Sequence, residues 1–452
     1  MRAEQPRSQV RILDLTPEHP VYWASAARLS TTEGDALAVY QASKTSAQAQ
    51  NSRLIDRVIR AGHQSVLEHK SVTLAFTNIS ALAEQFLIEF RLASFTVKSR
   101  RYVDFSQMGY YIPPELDGHA RERYLQHTDR MFAAYEQMLA QGVPKEDARF
   151  LLPYCFYSNL YCTVNLRELL HILEEIRTGR GRCFPELQDL ADQITDQLQE
   201  VCPFLPFPAR SQGEQAAERF CGEVLRPRVE EAKVSLIQQP VQPEGLLRQI
   251  QALGGGDGSL EDLLQSDRPR ALEHLNYTFF VEHLSLSGVT HLVRHRMQSI
   301  QIPALDTLDG AGYLLPPSIS ARPDLSGAYQ DCFTQTREVV AQLTAAGVPA
   351  PLRAYCNLSG TVLSCITTMN ARELMHFFAL RCCNRAQWEI RGVAEQMRAL
   401  CVDSLPALFR RMGPGCVLHG VCPEGPLSCG QPKTAAEWRC TGSRGGEDHV
   451  SR

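Results

Sequence analysis

The chain has 452 residues, 44% hydrophobic and 21% charged, with a formal net charge of -4. That length calls for two or three domains. The slight acidic balance disfavours bulk nucleic-acid binding, and no apolar run of about 18 residues offers a helical membrane span. The start, MRAEQPRSQVRILDLTPEHP, lacks the apolar centre of a secretory signal, so the expected compartment is the cytosol. There the fifteen cysteines stay as thiols or bind metal.

In chain order, SVTLAFTNI from Ser71 is β-branched and aromatic, as strands are. ALAEQFLIEFRLA from Ala81 has helical apolar spacing. ARERYLQHTDRMFAAYEQMLAQG, from Ala120, is a long amphipathic helix stopped by Gly142 with Pro144 beyond. NLRELLHILEEI from Asn165 is a further helix, and EQAAERFCGEVLRPRVEEAK, from Glu214, is a polar joining helix. After VSLIQQP from Val234, the glycines at 254–256 mark a loop. NYTFFVEHLSL from Asn276 is a strand; GVTHLVRHRMQ from Gly288 and NARELMHFFALR from Asn370 are helices. Strands and helices do not alternate as βαβ units, which gives an α+β fold with an antiparallel sheet and packed helices.

The pattern occurs twice. LEHKSVTLAF at Leu67 returns as LEHLNYTFFV at Leu272, an offset of 205. The same offset carries Arg91 to Arg296, Ser94 to Ser299, GVP at Gly142 to GVP at Gly347, and NLRELLH at Asn165 to NARELMH at Asn370. VRILDLTP at Val10 is echoed by VSLIQQP at Val234. The expected organisation is repeat 1 over 1–210, a joining segment over 211–233, repeat 2 over 234–412 and a Cys/Gly-rich tail over 413–452, its last dozen residues disordered. Taken alone, NARELMH reads as a buried helix with Arg–Glu pairing at its rim. Arg372 and His376 share a face at i and i+4.

VRHRMQSIQ, from Val293, crowds three cationic or potentially cationic side chains, which calls for an anion. These residues resemble the motif Arg-His-Arg-x-x-Ser-x-Asn-Glu-x-Ser-x-Arg-Tyr of the flavin-dependent thymidylate synthases. Repeat 2 holds its first half as Arg294, His295, Arg296 and Ser299, then departs with QIPALDT. Repeat 1, EFRLASFTVKSRRY, has Glu89 and Phe90 in place of the first Arg and His, yet keeps Arg91, Ser94, Ser99, Arg101 and Tyr102. AGHQSVLEH at Ala61, ARFLLP at Ala148 and MNARELMHFFALR with AQWEIR resemble further family segments.

The resemblance implies FAD as cofactor, a uracil nucleotide such as dUMP as substrate, and methylenetetrahydrofolate and NADPH as co-substrates. It implies a homotetramer with sites between subunits, which a dimer of this duplicated chain would mimic. By resemblance the flavin set is Arg294, His295, Arg296, Ser299, Asn370, Arg372 and His376, with Ser65 and Glu68 from repeat 1. The nucleotide set is Ser99, Arg101, Tyr102 and Arg149, with Arg381 at the uracil ring as the catalytic residue. Ile176 stands at Arg381's counterpart and Ala354 at Arg149's. Each repeat then keeps one half of a composite site. The Asn-Glu pair is missing from both copies, replaced by Thr96-Val97 and Gln301-Ile302, and Phe86 and His291 stand where the family has a Gln. The alternative is a catalytically inactive flavin- or nucleotide-binding relative with a structural or regulatory role.

In the tail, Cys416, Cys422 and Cys429 with His419 are either a loop of free thiols or a zinc site, at spacings wider than a zinc knuckle. Cys382 and Cys383, beside the presumed uracil Arg, read as packing thiols.

Overall fold

The computed structural model describes residues 6–15, 19–203, 205–209, 225, 233–254, 263, 269–308 and 312–440. The joining helix expected from Glu214 lies almost wholly outside the described residues, as do the last dozen residues and most of the glycine loop.

Each repeat builds a four-stranded antiparallel sheet. The first runs β1 (Gln9–Asp14), β2 (Ser71–Ser80), β3 (Ser94–Val97) and β4 (Tyr157–Asn165), in the spatial order β1-β2-β4-β3. The second runs β5 (Lys233–Gln238), β6 (Asn276–Ser285), β7 (Gln298–Gln301) and β8 (Val362–Asn370), in the order β5-β6-β8-β7. Period-two alternation sets the buried faces: Val72, Leu74 and Phe76 on β2, and Tyr277, Phe279 and Val281 on β6. The helices that bear on function are α1 (Ala81–Ile88), α2 (Gly118–Ala140), α3 (Leu166–Arg177) and α4 (Pro185–Val201) in the first repeat. In the second they are α5 (Leu286–Leu292), α6 (Pro323–Ala345), α7 (Ala371–Arg381) and α8 (Trp388–Ser404).

The registers match. Ser94 faces Thr163 as Ser299 faces Thr368, and the Thr73–Thr163 hydroxyl contact at 3.1 Å returns as Thr278–Thr368 at 2.9 Å. Both central strands carry a register shift, between Phe76 and Ile79 and between Val281 and Leu284. At each shift one residue has positive φ, Asn78 at 53° and His283 at 60°, residue types that tolerate the left-handed region better than most.

The bulge delivers the chain to a serine that caps the next helix. Ser80 Oγ accepts from Ala83 N at 3.0 Å, and Ser285 Oγ from Gly288 N at 2.9 Å. A buried carboxylate then takes both donors of each serine. Glu186 accepts Ser80 N at 2.7 Å and its hydroxyl at 2.5 Å, while Glu389 accepts Ser285 N and hydroxyl at 2.6 Å each. Burial pushes the Glu186 pKa up, and the donors from Ser80, Ser8 and Tyr355 oppose that push.

The chain divides into two compact units: Met1–Phe220 with Ala304–Gly310 and Leu315–Ser359, and Cys221–Pro303 with Ala311–Leu314 and Gly360–Arg452. The first unit thus takes α6 from the second repeat and packs it on α2. Contacts there join equivalent positions: Arg130 Nη1 donates to Gln335 Oε1 at 3.2 Å, and Thr336 Oγ1 meets Met131 Sδ at 4.0 Å. Nearby, Tyr154 N donates to Asn357 O at 2.7 Å and, reciprocally, Ser359 N to Leu152 O at 2.9 Å. Such reciprocity is the pattern of a local twofold contact made inside one chain.

In the second unit the tail folds back as far as it is described. Trp438 is buried, donates from Nε1 to Met412 O at 2.8 Å, and lies under the Arg398 guanidinium at 4.7 Å. No helix among the described residues is long and apolar enough to cross a membrane.

Candidate functional site

Duplication supplies an internal control. A side chain making the same bond in both copies serves the fold; one kept in a single copy carries the difference between them. Asn370 is the N-cap of α7 and accepts from Glu373 N at 2.9 Å, and Asn165 caps α3 through Glu168 N at the same distance. Arg372 pairs with Glu273, and Arg167 pairs with Glu68, 205 residues earlier. Asn370, Arg372 and Glu68 therefore have structural work to do, the Arg–Glu pairing anticipated at the helix rim. Ser65 is exposed on the short 3-10 helix Gln64–His69 that also holds Glu68.

Arg294, His295 and Arg381 are kept only in repeat 2, whereas Arg296, Ser299 and His376 return as Arg91, Ser94 and His171; all six repeat-2 residues lie in the second unit. Helix α5 ends at Leu292, so Arg294, His295 and Arg296 occupy the turn leading into β7, past the helical end expected from spacing. The turn alternates them: Arg294 and Arg296 are exposed, while His295 is only 4% exposed. His295 Nδ1 donates to Glu373 Oε1 at 3.0 Å, and Arg381 Nε donates to His295 Nε2 at 3.0 Å. Arg381 Nη2 also donates to His291 O at 3.0 Å. Burial holds the His295 pKa below its ordinary value, with Glu373 pulling the other way. His376 is exposed, its ring centroid 5.9 Å from that of His295. Ser299 is exposed on β7.

The residues kept only in repeat 1 gather in the first unit, around Glu146. Arg101 Nε donates to Glu146 Oε2 at 2.7 Å, and Arg149 Nε to Glu146 O at 3.0 Å. Arg101 N donates to Ser99 Oγ at 3.3 Å, and its guanidinium lies 5.7 Å from the Tyr102 ring. Lys145 Nζ donates to Tyr102 O at 3.1 Å, bringing a third cation to the cluster. Lys145 was not singled out in the sequence; its signal was its place four residues before Arg149, a helical neighbour spacing.

Where each half is lost, an acid has taken the arginine's place. Glu89, at Arg294's counterpart, pairs with Arg180 at 2.8 Å. Phe90, at His295's counterpart, packs against Phe86 and His171 at ring distances of 5.4 and 5.6 Å. Arg180 covers Phe86 at 5.6 Å. Asp306, at Arg101's counterpart, sits in the first unit within 4.0 Å of Cys183 Sγ. Burial raises its pKa, and Arg182 and Arg353 pull it down. A phosphate would meet a carboxylate at either place. Thr96 and Val97 lie in β3, while Gln301 ends β7 and Ile302 is buried beyond it.

Cys416, Cys422 and Cys429 are each half-buried. Among the described residues no group of three His, Cys, Asp or Glu side chains is placed to hold a metal ion, so the zinc reading gains nothing from the geometry. Cys382 is fully buried, as a packing thiol is.

The family described as thymidylate synthase complementing protein matches the chain twice, over residues 11–204 and 224–407. The chain is 36% identical over 219 residues to a flavin-dependent thymidylate synthase of Geobacter sulfurreducens, covering 44% of this chain and 94% of that protein. It is 35% identical over 187 residues to one from Nitratidesulfovibrio vulgaris, covering 38% and 75%. A crystal structure of a UMP/dUMP methylase PolB from Streptomyces cacaoi bound with 5-Br dUMP aligns at TM-score 0.36 and 24% identity, over 44% of this chain and 93% of that one. With the family matched twice, and a four-stranded sheet in each repeat, the chain belongs to the thymidylate synthase complementing protein family as a tandem pair of its domains.

Proposed function

We propose that the chain is a flavin-dependent enzyme that methylates a uracil nucleotide, dUMP, with methylenetetrahydrofolate as carbon donor and NADPH as reductant. We propose further that it works as a homodimer, each site drawing its flavin arginines, Arg294 and Arg296, and its uracil-facing Arg381 from repeat 2, and its nucleotide-phosphate residues from repeat 1. The observation that carries this reading is complementary retention: each cationic cluster survives in one copy, and in the other a carboxylate replaces an arginine.

The donor set fits an FAD diphosphate. Arg294 and Arg296 present two exposed guanidiniums from one turn, and each charge-assisted bond contributes about 1.5–3 kcal/mol. When bound, the flavin would carry the electrons delivered by NADPH. Arg101, Lys145 and Arg149 would hold the nucleotide's phosphate, with Glu146 keeping the two arginines in place until it arrives. Arg381, fixed at Nε and Nη2, would face the uracil ring with its remaining N–H groups.

The second reading, a binder without turnover, is favoured by one observation: β3 and β7 both lack the Asn-Glu pair. Product analysis separates the two. Purified protein with dUMP, methylenetetrahydrofolate and NADPH should form dTMP, and Arg101→Ala and Arg294→Ala should each abolish it. Flavin-loaded protein that forms no methylated nucleotide from dUMP or UMP leaves the second reading standing.

A further inference from the structure

We propose that His295 is a positioning residue that fixes the Arg381 guanidinium, with Glu373 behind it, and that it does not itself meet the cofactor. This deepens the reading of Arg381 given above and rests on it.

Hydrogen bookkeeping fixes the tautomer. Arg381 Nε carries a single hydrogen and only donates, so His295 Nε2, 3.0 Å away, must offer its lone pair. The ring proton therefore sits on Nδ1, aimed at Glu373 Oε1 at 3.0 Å. Both ring nitrogens are engaged, and the Phe377 ring packs edge-on with centroids 4.8 Å apart. The ring is buried between two exposed arginines, so the turn directs Arg294 and Arg296 outward and His295 inward. Arg381 is then held at two points, Nε on His295 and Nη2 on the His291 carbonyl, which sets the plane of its fork.

The other copy shows what happens when the arginine is gone. Ile176 replaces Arg381, and Phe90 replaces His295, while Glu168 is retained at the place of Glu373. Glu168 lies 3.5 Å from His171, and burial raises its pKa. The histidine and the arginine are lost together and the carboxylate is not, as expected if the imidazole serves the guanidinium.

The arrangement is sensitive to protons. A proton on His295 Nε2 would point at the Arg381 N–H. The charged and titratable groups facing the ring are Glu373, His376 and Arg381 from α7, with Arg294 and Arg296 beside it in the turn. Glu373 alone favours the charged ring.

A double-mutant cycle tests the proposal. His295→Asn should weaken dUMP binding about tenfold, yet change it less than about twofold in an Arg381→Ala background. Flavin bound per chain should hold within about twofold in both. Glu373→Gln, which preserves size, should act in the same direction with a smaller effect, and covers the case where His295→Asn folds poorly. Nitrogen NMR of the ligand-free protein should show His295 protonated at Nδ1 and bare at Nε2. Loss of flavin on His295→Asn, additive losses with Arg381→Ala, or an Nε2 proton would overturn the assignment. If the wild type binds neither flavin nor dUMP, the functional reading fails, while the NMR still tests the Arg381 lock.

Discussion

Glu89 lies 2.8 Å from Arg180, at the chain position where the second copy presents Arg294. The pair is only partly exposed, at 10% and 34% for the two side chains. Its arginine lies over the Phe86 ring, and its carboxylate puts negative charge where the second copy carries Arg294. Glu89→Ala should therefore leave flavin content and turnover within about twofold while costing about 1–3 kcal/mol of stability, since the Arg180 charge loses its partner. Thermal melts beside a flavin absorbance reading check this; a large loss of flavin would show that repeat 1 still holds cofactor.

Asn370→Ala and Asn165→Ala should behave alike. Each removes an N-cap acceptor at 2.9 Å, at a cost of about 1 kcal/mol. Denaturant unfolding of both variants measures it. A tenfold or greater loss of flavin affinity for Asn370→Ala alone, without a matching loss of stability, would give Asn370 a flavin role beyond its cap.

The buried carboxylates should rank as among the most sensitive positions in each sheet. Glu186→Ala orphans the Ser80 amide and hydroxyl together with donors from Ser8 at 2.7 Å and Tyr355 at 3.2 Å. A loss of about 3 kcal/mol or more, or failure to accumulate as soluble protein, is expected. Glu186→Gln should be milder, because the amide keeps one acceptor.

His127 on α2 predicts an acid limit. It is buried, neither ring nitrogen has a hydrogen-bond partner of normal geometry, and burial pushes its pKa down from 6.5 to about 4, with the nearby Cys356 backbone offsetting part of that. The folded chain keeps the ring neutral, whereas the unfolded chain takes up a proton below about pH 6.5. Stability from this group is therefore present above pH 6.5 and lost as pH falls toward 4, by about 3 kcal/mol in all. Chemical denaturation at a series of pH values should show this slope in the wild type and a shallower one in His127→Leu.

The duplication was legible because short windows such as NLRELLH and NARELMH repeat charged and polar identities at one spacing. The sheets followed from strand alternation, and the opposite halves of the motif could be read residue by residue. The positive-φ positions were not legible: the 205-residue offset pairs Asn78 with His283, but neither residue type marks a left-handed backbone inside a strand. Nor was the exchange that places α6 on α2, because its contacts join residues 205 apart, such as Arg130 and Gln335. Within the site, the sequence marked His295 and Arg381 separately; their bond spans 86 positions and needs the fold to be seen. Arg180, Arg182 and Arg353, which pair with or face the replacement acids, lie outside every motif.

Division of labour between the copies is tested most directly by the flavin absorbance spectrum titrated with dUMP in the wild type, Arg294→Ala and Arg101→Ala. The account predicts a yellow wild type whose spectrum shifts on adding dUMP, saturating at one nucleotide per flavin. Arg294→Ala should lose the colour, and Arg101→Ala should keep the colour but lose the shift. A wild type that binds both ligands with no change in the flavin spectrum, or an Arg101→Ala that loses flavin while Arg294→Ala keeps it, would contradict the account.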